Sequence, residues 1–129
     1  MPVYVGNIEK ETLANSFFRK VLFTASYSQL VLMSLNPMED IGMETHADVD
    51  QFFRIESGEG KAILDGKEYK IGDGFAIVIP AGVEHNVVNT SSTKPLKLYT
   101  IYSPPEHKDG VIHKTKADAK ADKTDHYEG

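Results

Sequence analysis

The chain contains no cysteine. That removes disulfide bridges, thiolate metal ligands and thiol nucleophiles together. It suits a reducing compartment, and a cytoplasmic location is expected. Positive charge is also scarce. Fourteen Lys and Arg stand against nineteen Asp and Glu, a formal net charge of −5, with no basic stripe. A nucleic-acid partner is therefore not expected. No apolar run approaches the roughly 20 residues of a membrane span. The opening MPVYVGNIEKE has no basic stretch followed by an apolar core. Neither a membrane partner nor a signal peptide is expected.

What is present is an ordinary globular composition, 40% hydrophobic and 26% charged over 129 residues. That length fits one domain able to bury a single core without staples. The apolar runs are short, rich in Val, Ile, Leu and Phe, and separated by Gly, Pro, Asn and Asp, which is an all-β pattern. The spacing predicts strands near Phe17–Thr24, Gln29–Leu35, Ile41–His46, Gln51–Ser57, Lys61–Leu64, Lys67–Ile71, Phe75–Ile79, His85–Asn89 and Leu96–Tyr102. So many short strands imply a sandwich, a jelly roll or a barrel. Within KAILDGKEYKI, Asp65-Gly66 suits a two-residue type I′ turn. Pairing across it places Ala62, Leu64, Tyr69 and Ile71 on one face and Lys61, Ile63, Glu68 and Lys70 on the other. The pattern ends after Ser103-Pro104-Pro105. Residues 1–113 are read as the domain, its barrel at about 17–102, and 114–129 as a polar, flexible tail or a short exposed helix.

Two stretches carry chemistry. In METHADVDQ, Glu44 and His46 alternate onto one strand face about 7 Å apart. Gln51 opens the next strand, on the face it shares with Phe53 and Ile55. In GFAIVIPAGVEHNVVN, Pro80 and Gly82 make a tight turn that can aim His85 inward. Gly58, Gly74 and Gly82 read as turn residues and Asn89 as structural. Leu98, Thr100 and Tyr102 share a strand face, which would make Tyr102 a proton donor or substrate contact. Arg54 lies on the opposite face to Gln51 and is expected to point outward. Arg19 and scattered Lys are the other basic residues on the predicted barrel strands, and without a convergent cationic patch a phosphorylated substrate is disfavoured. His107 and His113 read as exposed loop histidines, the alternatives being a lid over the barrel mouth or a contact with a partner subunit.

The spacing Gly74…Pro80-Ala81-Gly82…His85…Asn89 resembles the second motif of the cupin superfamily at every defined position. Glu44-Thr45-His46…Gln51…Gly58 resembles the first motif in spacing. It differs in carrying Glu44 in place of a His, Gln51 in place of a Glu, and Met38 where a Gly usually begins the motif. The resemblance implies a double-sheet jelly-roll barrel of six to eight strands. It also implies one divalent metal ion, Zn, Mn, Fe, Ni or Co, held by Glu44, His46, Gln51 and His85. Gln51 could instead hydrogen-bond a ligand or a bound water. The usual set of three His and one Glu carries −1, and so does this one: the carboxylate has moved rather than vanished. The whole chain is similar to small bacterial cupins described as mannose-6-phosphate isomerase-like.

Three functions are compatible with these residues. The first is a metalloenzyme of isomerase or lyase type, polarising a carbonyl or enediol of a sugar or hydroxy acid. The second is a non-haem iron dioxygenase built on two His and one carboxylate. The third is a binding module for a small molecule, without turnover. A homodimer is compatible with all three, since Phe17, Phe18, Val21 and Phe23 make an early strand apolar on both faces.

Overall fold

The computed structural model describes residues 1–128; the last residue of the expected tail, Gly129, lies outside them. Helix α1 (Ile8–Ala14) is followed by strands β1 (Arg19–Thr24), β2 (Gln29–Leu35), β3 (Asp50–Ser57), β4 (Glu59–Leu64), β5 (Lys67–Gly72), β6 (Ala76–Ile79), β7 (His85–Asn89), β8 (Leu96–Ser103) and β9 (Ile112–His113). Helix α2 (Lys116–Ala121) closes the order. The strands form two antiparallel sheets, β6-β3-β8-β2-β1-β9 and β5-β4-β7. This is the expected all-β jelly roll. No helix among the described residues is long and apolar enough to cross a membrane.

Alternation builds the interior. In β8, Leu96, Leu98, Thr100 and Tyr102 point in and are fully buried, while Lys97, Tyr99 and Ile101 are only half-buried. In β3, Gln51, Phe53 and Ile55 share the inward face. Between them the register sets Gln51 opposite Tyr102 and Phe53 opposite Thr100. The polar inward residues therefore cluster at one end of an apolar interior of Phe53, Ile55, Leu98, Val31, Met33 and Val87. β2 is buried almost throughout, since its inward face lies in the core and Leu32 on its outer face borders Glu11, Ala14 and Asn15 of the α1 region.

The β4–β5 hairpin turns at Asp65-Gly66, with φ of 51° and 80°. Both are positive, as the expected turn requires. Ala62 and Ile71 are buried as expected, but Tyr69 is exposed. It pairs with Ala62 near the hairpin tip, beyond the reach of the core, with the Lys67 ammonium 5.3 Å from its ring centroid. Gly58 has φ of 112°, and a Cβ there would stand 2.7 Å from the Pro95 carbonyl oxygen. Only glycine meets both conditions. Met38 shows the opposite compromise. It holds φ of 64° at the position where the first motif usually carries glycine.

Residues 41–46, expected as a strand, are not one. They carry isolated bridges, Asp40 to Val88 and Glu44 to His85. Gly42, with φ of 112°, interrupts the extended run, and its N–H bonds the Asn86 side chain instead of a ladder partner. The tail is also more than a polar appendage. Lys116 pairs with Asp40 at 2.5 Å, His113 with Asp122 at 2.9 Å and His107 with Asp125 at 2.8 Å.

Candidate metal centre

Backbone geometry brings the separate stretches together. Glu44 and His85 exchange two hydrogen bonds, each 2.9 Å, so they sit directly opposite and project to the same side. The turn before β7 is tied to His46, whose carbonyl accepts from Gly82 N–H at 2.8 Å. The same turn is tied to the start of β3, where Asp50 accepts from Ala81 N–H at 2.8 Å. Asn89 closes the far end of β7. Its amide donates to the carbonyls of Leu35, Asn36 and Lys94, a structural role as expected.

Glu44, His46 and His85 each offer one ligand atom, and these atoms lie within 4.8 Å of one another. His85 Nδ1 is 2.9 Å from the Val83 carbonyl oxygen. A carbonyl only accepts, so Nδ1 carries the proton and Nε2 presents its lone pair. That Nε2 is buried and has no hydrogen-bond partner. His46 Nδ1 faces a Glu106 oxygen at 3.4 Å, an ion-pair contact. Its Nε2 lies 3.0 Å from Glu44 Oε2, yet out of line for a hydrogen bond. Gln51 donates from Nε2 to Thr100 Oγ1 at 3.0 Å and leaves Oε1 buried without a partner. An imidazole fixed at Nδ1 by a carbonyl and free at Nε2, as in His85, is the arrangement seen around metal ions. Unpaired buried acceptors are costly, so His85 Nε2 and Gln51 Oε1, beside the Glu44–His46 ion pair, fit a bound cation.

Electrostatics point the same way. Burial works against the charged form of Glu44. His46, Arg19 and His85 outweigh it and hold the carboxyl below its usual range. Glu106 and Glu44 raise the His46 pKa to about 9 against the effect of burial. The two carboxylates thus favour a positive charge between them, whether proton or metal.

Tyr102 is buried beside this group, its ring centroid 5.9 Å from that of His46. Its hydroxyl is 3.1 Å from His107 Nε2, and His107 Nδ1 is 2.8 Å from Asp125. Burial lowers the His107 pKa despite Asp125, so the ring is neutral. Its one N–H goes to the carboxylate, and its Nε2 accepts the Tyr102 proton. The hydroxyl proton is therefore committed to His107, and only the Tyr102 oxygen lone pairs remain for the site. A direct proton donor, as the sequence suggested, does not match this pairing.

His107 and His113 are buried, 8% and 4% exposed, not exposed loop residues. Both are enclosed by carboxylates of the tail. Gln29 pins the segment that carries His107. Its Oε1 accepts from the N–H groups of Glu106 and His107, and its Nε2 donates to the His107 carbonyl at 2.8 Å. Gln29→Leu strands the buried N–H and carbonyl of His107 and is expected to cost about 2–6 kcal/mol, at about 1–3 for each buried group left unpaired. Urea denaturation measures it; an unchanged midpoint would remove Gln29 from this role.

Sequence reasoning missed Gln29, Glu106 and Asp125. The cluster PPEH after the last barrel strand, with several Asp in the tail, was the available signal. Arg54 does lie on the outer side, 3.1 Å from Glu56, as expected. Arg19, by contrast, points inward and is buried.

Comparison with known proteins bears on the fold. The family model described as Cupin domain matches residues 31–102. The Bacillus subtilis uncharacterized protein YrkC is 50% identical over 125 residues, 92% of this chain and 66% of its own length. The chain thus spans just under two thirds of that relative. The uncharacterized protein L612 of Acanthamoeba polyphaga mimivirus is 51% identical over 114 residues, 85% of this chain and 71% of its own. The crystal structure of BH2720 from Bacillus halodurans superposes with a TM-score of 0.90 at 46% identity, covering 92% of this chain and 94% of that one.

Proposed function

Since the chain belongs to the cupin family, we propose that it is a metal-dependent enzyme acting on a small polar molecule, its ion held by Glu44, His46, Gln51 and His85. The observation that carries this reading is the pair of buried, unpartnered acceptors, His85 Nε2 and Gln51 Oε1, converging with Glu44 and His46. A nitrogen and oxygen donor set of this kind suits Zn, Mn, Fe, Ni or Co. When bound, such an ion supplies Lewis acidity toward a carbonyl or hydroxyl oxygen. Glu44 supplies the one ligand charge. Glu106 and the Val83 carbonyl orient the two imidazoles. Tyr102, its proton turned toward His107, offers its hydroxyl oxygen as an acceptor that positions substrate, and Asp125 fixes the His107 ring. Lewis-acid polarisation of a carbonyl or enediol oxygen is isomerase- or lyase-type chemistry.

Elemental analysis of protein purified without added metal or an affinity tag tests the proposal. Near-stoichiometric zinc, manganese, nickel or cobalt supports it and directs isomerase and lyase assays. Iron shifts the reading to a dioxygenase on the same residues. No metal, and none taken up on dialysis, overturns it in favour of a metal-free binding module.

We infer, too, that the chain pairs with a second copy. Val78, Phe52, Ile101 and Leu30 are register neighbours across β6, β3, β8 and β2 on the outer face of the larger sheet. Val78 is exposed and the other three are half-buried. Such an apolar row is self-complementary about a two-fold axis. Val78→Glu is expected to convert a dimer to monomer in sedimentation. A wild-type protein that is already monomeric would remove this inference.

A further inference from the structure

A cavity of about 230 Å³ opens against the candidate centre, with Phe18, Arg19, Ile41, Glu44, Lys116 and Lys120 in its wall. A larger one, about 440 Å³, lies by Gly58, Asp73 and Pro95 and touches none of the candidate ligands. Arg19 is on β1 with its side chain inward, 7% exposed. A guanidinium has five donors and cannot lose its charge. Here Nη1 donates to His113 Nδ1 at 3.2 Å, and Asp125 is no nearer than 4.0 Å. Asp125 is already engaged by His107 and by Lys108 N–H. The other nitrogen of His113 is engaged by Asp122 at 2.9 Å. Arg19 Nε is buried without a partner. A buried cation with no bidentate carboxylate carries a desolvation cost, which the Phe18 ring, its centroid 5.2 Å from the guanidinium carbon, and Asp125 at 4.0 Å offset only in part. Lys116 is paired with Asp40, whereas Lys120, at the rim, has no carboxylate partner among the described residues.

We propose that Arg19 is the anchor for an oxyanion of the substrate, held in this cavity with Lys120 at its mouth. The substrate is then a small organic acid or phosphate whose carbonyl or hydroxyl oxygen reaches the Glu44–His46–His85 group. Arg19 offers the fork that matches a carboxylate or phosphate in two hydrogen bonds. The cavity volume excludes drug-sized molecules. Glu44 stands in the same wall and repels an anion unless a cation neutralises it, so the substrate class rests on the metal reading above. That coupling makes oxyanion and metal bind cooperatively. Arg19, one of the basic residues on the predicted strands, thus supplies a cation to the interior that the sequence did not single out as an anion site.

Titration calorimetry with glycolate tests this, with ethylene glycol as its uncharged counterpart and inorganic phosphate as the alternative anion. Each is titrated into metal-free and Zn²⁺-loaded protein. Glycolate or phosphate is expected to bind the loaded wild type at least about tenfold tighter than ethylene glycol, and about tenfold tighter than the metal-free form. The preferred anion identifies the source of the oxyanion. Arg19→Gln is expected to take up Zn²⁺ as the wild type does and to lose the anion by about tenfold or more. Equal anion binding by wild type and variant overturns the proposal, as does ethylene glycol binding as well as glycolate. If the chain takes up no metal, Arg19-dependent glycolate binding still supports the anchor while the metal reading falls. If neither anion binds in either state, the anchor falls too. Should Arg19→Gln fail to fold, a wild-type crystal structure with glycolate decides. Its carboxylate on the Arg19 guanidinium supports the proposal, and any other placement overturns it.

Discussion

Replacing His85 with alanine is expected to abolish stoichiometric metal while leaving the barrel folded. The two consequences separate because His85 sits at the polar end of the interior. The apolar mass that holds the sheets together, Phe53, Ile55, Leu96 and Leu98, lies elsewhere and keeps its contacts. Losing only an outer partner of a metal ligand typically costs 10–100-fold in affinity, so losing a ligand is expected to cost about 100-fold or more. The variant should also forfeit ligand-linked stability, about 2.7 kcal/mol at a free metal concentration a hundred times the Kd. Glu44→Gln should weaken binding as well, since it removes the only charge in the set. Calorimetry, elemental analysis and thermal melts with and without metal measure all three. Wild-type metal content in both variants would sink the ligand assignment.

Metal affinity should fall about tenfold for each pH unit below about 9, because one proton must leave His46 before its Nε2 can bind an ion. The cause is local. Glu106 and Glu44 together raise the His46 pKa to about 9, from about 6.5 in an unfolded chain. The sign for folding is opposite to that for metal binding. A raised histidine pKa stabilises the metal-free fold fully below about 6.5, and that contribution is lost as pH rises to about 9. Metal-free protein should therefore melt at progressively lower temperature across this window, while metal affinity climbs. At pH 7, calorimetry in buffers of different ionisation enthalpy should detect about one proton released for each metal bound. Glu106→Gln should flatten both dependences by lowering the His46 pKa. An affinity that stays constant between pH 7 and 9 would contradict the proton competition.

The histidines outside the barrel show why legibility was uneven. His85 could be read because its aim depends on a local device, the turn at Pro80 and Gly82, a few residues away. His107 and His113 could not, because what buries them is remote in sequence. Gln29 lies 78 residues before His107 and Asp125 lies 18 residues after it. Arg19 and His113 are 94 residues apart. Tyr102 was assigned correctly to the interior by alternation along β8, but the direction of its hydroxyl proton depends on a remote Asp. The run 41–46 was mistaken for a strand because its residues favour extension. Gly42 and the distant Asn86 amide decide that it pairs only at isolated points.

From the sequence alone came the all-β class, the hairpin at Asp65-Gly66, the inward faces of β3 and β8, and the residue types of the candidate ligand set. These follow from side-chain alternation, turn chemistry and motif spacing, all of which act over a few residues. Tertiary structure alone decided that His85 Nε2 is free, which way the Tyr102 proton points, and that Arg19 faces inward beside Glu44. Those properties are set by partners from distant segments and by the water their packing excludes. Burial then turns each missing hydrogen bond into a substantial free-energy cost.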